Sequence, residues 1–262
     1  MNTIPNLDLD CEFFSATRLA DIIILRFKEN LLFQTTDLSI RDKILHYLDR
    51  VSKIDSIKVV VIFGSSKGRG SEEYFDFYRQ AFKQKWDQYP IHKIQNVFAQ
   101  FILSIMDLNK LVIHANSGCV ISLFLSVSLA CDYRIIASDT VFQNPFLRLG
   151  LTPIGGGAFF LSKMIGSSNA YKILLSGNDI TADEALKLGI VDEVVPVENL
   201  EAAALDAARR FAEKPARSLA AVKKLINFSM KDLREYMDIE HQELIRIVES
   251  HEYIDAVTEN IP

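Results

Sequence analysis

The chain has 262 residues, is 49% hydrophobic and 24% charged, and contains only 7 prolines, a composition that fits a folded globular protein and excludes extensive disorder. A net charge of -5 supplies no basic face for nucleic acid and no attraction to an anionic membrane, so neither partner is expected. The opening MNTIPNLDLD has neither the basic flank nor the apolar run of a secretory signal, and the longest apolar run, residues 119–131, is broken by serines and too short to span a bilayer, so a cytoplasmic location is expected.

In chain order, short β-branched runs alternate with stretches of helical length. Residues 21–27 (DIIILRF) and 58–65 (KVVVIFGS) read as buried strands, and between them TTDLSIRDKILHYLDRVSKI carries an apolar stripe of Leu38, Ile44, Leu45, Leu48 and Val51 behind a Thr or Asp cap at residues 35–37. Residues 80–100 are expected to form a mobile, partly helical surface excursion. Two further strands are predicted at 110–115 (KLVIHA) and 133–138 (YRIIAS), with a tight turn and a helix between them in NSGCVISLFLSVSLACD. Strand and helix in alternation to about residue 200 imply parallel crossovers. Beyond that point NLEAAALDAARRFAEKP, opened by Asn199 and closed by Pro215, and the helical stretches after it read as a helical appendage, which divides the chain into a core of residues 1–199 and a C-terminal region of 200–262. The three cysteines, Cys11, Cys119 and Cys131, show no paired spacing, so reduced core thiols are expected, with no disulfide framework and no metal site.

Three strings in order carry a resemblance: LACDYRIIAS, LGLTPIGGG and SGNDITADEALKLGIVDEVV. Together with the Gly-Ser turn after the second strand, they resemble the crotonase (enoyl-CoA hydratase/isomerase) superfamily from about residue 22 to 252. The resemblance implies an α/β fold of the crotonase-like (ClpP/crotonase) type, a spiral of ββα units with a helical C-terminal trimerisation region. It implies an acyl-CoA or acyl-carrier-bound thioester as substrate, coenzyme A entering as part of that substrate and no separate cofactor, lyase or isomerase chemistry in fatty acid metabolism, and a homotrimer or dimer of trimers.

The shared chemistry of that family is an oxyanion hole of two backbone amides, and motif matching places them at Ser71, after the turn containing Gly68 and Gly70, and at Leu123. The positions where family hydratases carry their two glutamates read Ser126 and Phe146, neither of which acts as a general base near neutral pH. Ordinary two-glutamate hydration is therefore not expected. What remains open is an enzyme that uses the hole without glutamates, such as a decarboxylase of β-carboxyacyl thioesters, or a non-catalytic binding or assembly homologue. Tyr74 and Tyr78, four apart on one helical face, and His241 on a C-terminal helix are candidate substitutes, each set against a packing or solvated role. Glu73 is expected in a solvated acidic first turn, and His114 as a satisfied core histidine. Gly70, Lys28, Lys223 and Lys224 are candidates to meet the CoA portion, and Gly155 to Gly157 are expected to permit close helix approach.

Overall fold

A computed structural model of the chain describes residues 6–29, 31–34, 38–65, 69–83 and 89–260. The strands in chain order are β1 (Leu9–Asp10), β2 (Phe14–Leu19), β3 (Ile22–Phe27), β4 (Val59–Phe63), β5 (Leu111–Asn116), β6 (Cys119–Ile121), β7 (Tyr133–Ala137), β8 (Val141–Gln143), β9 (Ile180–Thr181) and β10 (Glu193–Val195). β3, β4, β5 and β7 are the four runs expected from their β-branched composition. They lie side by side in a seven-stranded sheet of order β1-β2-β3-β4-β5-β7-β10, parallel from β3 to β10 and antiparallel at the β1-β2-β3 edge. A second, three-stranded sheet, β6-β8-β9, stands beside the C-terminal ends of β5 and β7. The short strands of this sheet were not anticipated, because two or three residues carry no readable period.

Every residue of β4, VVVIF, is buried, as a parallel strand covered on both faces requires. Val60 and Ile62 face the larger core with Ile23 and Leu25, whereas Val59, Val61 and Phe63 face the other way, with Ile22 and Ile113. That second face is roofed by the helix Leu200–Ala212 through Ala204, Ala207, Ala208 and Ala212, whose small side chains let helix and sheet approach closely. The alanine-rich stretch is thus a layer of the main fold rather than an appendage. Leu233, Met237, Leu244, Val248 and Tyr253 likewise enter the larger core. Asn199 stands at the N-cap of the roofing helix, but its side chain makes no capping bond.

The expected excursion at 80–100 is also corrected. Helices Ser71–Lys83 and Tyr89–Asp107 occupy most of it, and Ile94, Val97, Phe98, Ile102 and Ile105 are buried along the second, which packs against the helix Leu38–Ser52. The stripe on Leu38–Ser52 holds, with Ile44, Leu48 and Val51 buried and Tyr47 added to it, its hydroxyl donating to Leu7 O at 3.0 Å. The cap expected at 35–37 lies outside the described residues. Among the described residues no helix is long and apolar enough to cross a membrane.

Candidate active site

Two helix starts meet beside the small sheet. The first follows β4: an isolated parallel bridge between Arg69 and Cys119 lays the turn against β6, and the helix Ser71–Lys83 begins directly after it. Gly70 has φ +57°, and a Cβ there would stand 2.1 Å from Gln143 Oε1 and 2.7 Å from Cys119 Cβ, so only glycine fits. Gly68 lies outside the described residues. The amide of Ser71 donates to Gln143 Oε1 at 2.7 Å. The second start follows β6, whose last residue, Ile121, is extended (φ -70°, ψ 153°) and offers no side-chain cap to the helix Ser122–Leu129. Leu123 N is the second amide of that helix, among those an α-helix leaves without an internal acceptor. The β6–β8 ladder sets Ile121 opposite Gln143, so the residue that engages Ser71 also stands across from the approach to Leu123.

Between these starts lies a cavity of about 40 Å³ lined by Gly70, Glu73, His114, Cys119, Ile121 and Phe124 among others. Glu73 is buried, not solvated as expected: its carboxylate accepts from Leu32 N at 3.2 Å, and burial holds its pKa above the usual carboxylate range. His114 is the satisfied core histidine anticipated, accepting from Asn116 Nδ2 at 3.1 Å through Nδ1, and burial with Arg134 nearby pushes its pKa down to about 3, so the ring is neutral. Cys119 is exposed rather than in the core, while Cys131 is buried and Cys11 half-buried; all three are free thiols. The side chain of Leu123 turns inward against Gly155 and does not crowd the cavity, but Phe124 does line it. Phe27, Phe124 and Val127 also line a second cavity of about 50 Å³, whose other walls include Phe13, Ile44 and Phe101.

Ser126 and Phe146, the residues expected at the two glutamate positions, are both packed. Ser126 is 1% exposed, its hydroxyl donating to Ile154 O at 3.0 Å and Ser122 O at 3.2 Å. A Cβ at Gly157 would come within 2.9 Å of Ser126 Oγ, which is the close approach expected of that glycine turn. Phe146 is 1% exposed in the short 3-10 turn Phe146–Leu149. One functional-type residue escaped the sequence reading. Glu240 is 5% exposed and accepts from Gly155 N at 2.6 Å and Gly156 N at 2.9 Å, both glycines being left-handed, with φ +77° and +76°. Burial pushes its pKa up to about 7, against the downward pull of the two amides. A signal was present: Leu233, Met237, Glu240, Leu244 and Val248 share one helical face, so the acid sits inside an apolar stripe.

The other candidates separate. Tyr74 and Tyr78 do share a face, with rings 4.7 Å apart, but they are buried beside Tyr253 instead of lining the cavity at Gly70. Burial raises both phenols, which stay protonated. His241 is half-buried next to Glu240, off the apolar stripe. Lys28 pairs with Asp10 at 2.6 Å, and Lys224 is exposed. Lys223 is corrected outright: it is 5% exposed, and its ammonium donates to Ile105 O, Lys110 O and Asp132 Oδ2 at 2.9, 3.1 and 2.8 Å, which leaves nothing for a phosphate.

A family model described as enoyl-CoA hydratase/isomerase matches residues 22–256. Among curated proteins, the fatty acid oxidation complex subunit alpha of Pseudomonas syringae pv. syringae (strain B728a) is 42% identical over 104 residues, 40% of this chain and 14% of that protein. Probable enoyl-CoA hydratase, mitochondrial, of Dictyostelium discoideum is 35% identical over 122 residues, 47% of this chain and 44% of that protein. Both alignments therefore span less than half of the relative. The solved enoyl-CoA hydratase of Bacillus halodurans is similar with a TM-score of 0.81 at 19% identity, over 95% of this chain and all of that one, and methylmalonyl-CoA decarboxylase in complex with 2-nitronate-propionyl-CoA with 0.73 at 18%, over 94% of each. At these identities the likeness is one of fold.

Proposed function

The chain belongs to the enoyl-CoA hydratase/isomerase family, and from that premise we propose that it binds an acyl thioester, of coenzyme A or of a carrier-bound pantetheine, and stabilises the enolate at the amides of Ser71 and Leu123. The observation that carries the reading is the Ser71 amide, which already holds a carbonyl-type oxygen at 2.7 Å. A thioester oxygen placed there gains negative charge as the enolate forms, and donors fixed before reaction strengthen with that charge. Because the donors are main-chain groups, serine and leucine serve at these positions as well as glycine would. The acyl group extends toward Phe124, with the second cavity beyond it taking an apolar tail.

Ser126 and Phe146 favour one reaction class over hydration. Loss of CO2 from a β-carboxyacyl thioester moves the electrons of the breaking C–C bond into the enolate and needs no base to begin; a proton from solvent then adds at Cα. The packed serine and phenyl ring at the two acid positions suit that sequence of events. A non-catalytic binding subunit is the remaining reading, and the exposed Val222, Leu225, Ile226 and Phe228 support assembly into the trimers proposed here. Calorimetric titration with butyryl-CoA tests the binding reading, and turnover of malonyl-CoA against crotonyl-CoA tests the reaction. Binding together with malonyl-CoA decarboxylation supports the proposal. Absence of acyl-CoA binding overturns it, and efficient hydration of crotonyl-CoA overturns the decarboxylase reading.

A further inference from the structure

We infer that Gln143 is a specificity-determining residue of this site: its carboxamide occupies the first oxyanion donor, and a ligand must present a carbonyl to replace it. The inference rests on the acyl-thioester reading above. Three features of the fold build the contact. Gln143 Oε1 lies 2.7 Å from Ser71 N, a normal, well-formed hydrogen bond. The side chain reaches that amide only because Gly70 has no Cβ, which would stand 2.1 Å from Oε1 and 3.1 Å from Cδ. The backbone of Gln143 cannot withdraw, because β8 is paired on both sides, Gln143 with Ile121 of β6 and Phe142 with Ile180 of β9.

Clearing the Ser71 amide therefore falls to a rotation of the Gln143 side chain. In its resting position the carboxamide also donates from Nε2 to Oδ2 of the exposed Asp179 at 3.5 Å, a long contact that rotation gives up together with the one at Ser71. The displacement sorts ligands by chemistry. Free coenzyme A carries carbonyls only in the two amides of its pantetheine arm and ends in a thiol where the thioester would stand, so it presents no thioester oxygen at Ser71 and leaves Gln143 where it is. An acyl thioester exchanges one hydrogen bond for another at this donor, so the donor contributes little to its ground-state affinity.

The test compares the native chain with Gln143→Ala and Gln143→Asn, titrating each with butyryl-CoA and with free coenzyme A by calorimetry, and recording each apo melting temperature to confirm folding. Losing the internal competitor is expected to tighten butyryl-CoA binding roughly two- to tenfold, the equivalent of one net hydrogen bond, and to leave coenzyme A unchanged. Asparagine, one methylene shorter, keeps the carboxamide but loses the reach, and is expected to behave as alanine does. If butyryl-CoA binds the variants no tighter than the native chain, Gln143 shapes the turn instead of competing for it, and the inference falls while the acyl-thioester reading stands. If neither the native chain nor the variants bind butyryl-CoA, that reading falls and takes the inference with it.

Discussion

At Glu240 the penalty for burying a carboxylate opposes the two amide hydrogen bonds it accepts, and burial wins, holding the folded-state pKa near about 7 against 4.5 for an unperturbed glutamate. Between those pH values the folded chain keeps a proton that the unfolded chain has lost, so this residue makes stability fall as pH rises through the window. Glu240→Gln removes that titration. Its stability relative to the native chain is expected to improve by about 3 kcal/mol from the bottom of the window to the top, read from denaturant melts at a series of pH values, and a flat difference curve would refute the assignment. His114 acts in the opposite sense. Its folded pKa, about 3 against 6.5, means that the unfolded chain takes up a proton first, so stability is lost as pH falls below 6.5. At Ser126 the hydroxyl is committed to Ile154 O and Ser122 O, and Ser126→Ala is expected to cost about 1 kcal/mol by calorimetry while leaving butyryl-CoA affinity unchanged. A variant that loses butyryl-CoA would return this serine to the chemistry. That Ser71 and Leu123 stand at the starts of two helices was legible from motif spacing; Gln143 was not, because only the β6–β8 register and a bare Gly70 bring its side chain to Ser71.

At the scale of elements, the helix Ser122–Leu129 carries both Leu123, the proposed second donor, and Phe124, which with Phe27 and Val127 lines both the cavity at Gly70 and the apolar one behind it. Phe124→Ala is expected to join the two spaces and shift binding preference from butyryl- toward octanoyl-CoA, measured as the ratio of dissociation constants; an unchanged ratio would mean that the acyl tail runs elsewhere. The helix Ala216–Asn227 is bolted down by Lys223, whose ammonium joins Asp132 at the edge of β7 to the carbonyls of Ile105, in the helix Tyr89–Asp107, and of Lys110, just before β5. The pair is 3% and 15% exposed, so Lys223→Met leaves a carboxylate largely buried without its cation and is expected to cost about 3 kcal/mol or more in chemical unfolding. Strands β3, β4, β5 and β7 were readable from their β-branched runs, since a strand covered on both faces must be apolar throughout. Strands β6, β8 and β9, which flank the candidate site, have too few residues to show any alternation and pair with one another in a separate sheet.

Across the whole molecule, Val222, Leu225 and Ile226 occupy one face of their helix at spacings of three and four, with Phe228 just beyond, and all are more than half exposed. Such a face is expected to be covered in an assembly. Light scattering on the native chain should return a multiple of the monomer mass, and Leu225→Glu combined with Ile226→Glu should reduce it; a native monomer would refute the proposed trimer.

What the order of residues determined by itself was the family and the parallel centre of the sheet, because these depend on motifs and on periodicity within short segments. The placement of Glu240 on the glycine turn, the inward turn of Lys223 and the presence of Gln143 at the Ser71 amide were decided only in three dimensions. Each joins residues far apart in the chain, and the hydrogen-bond geometry that selects the partner exists only once the layers have packed.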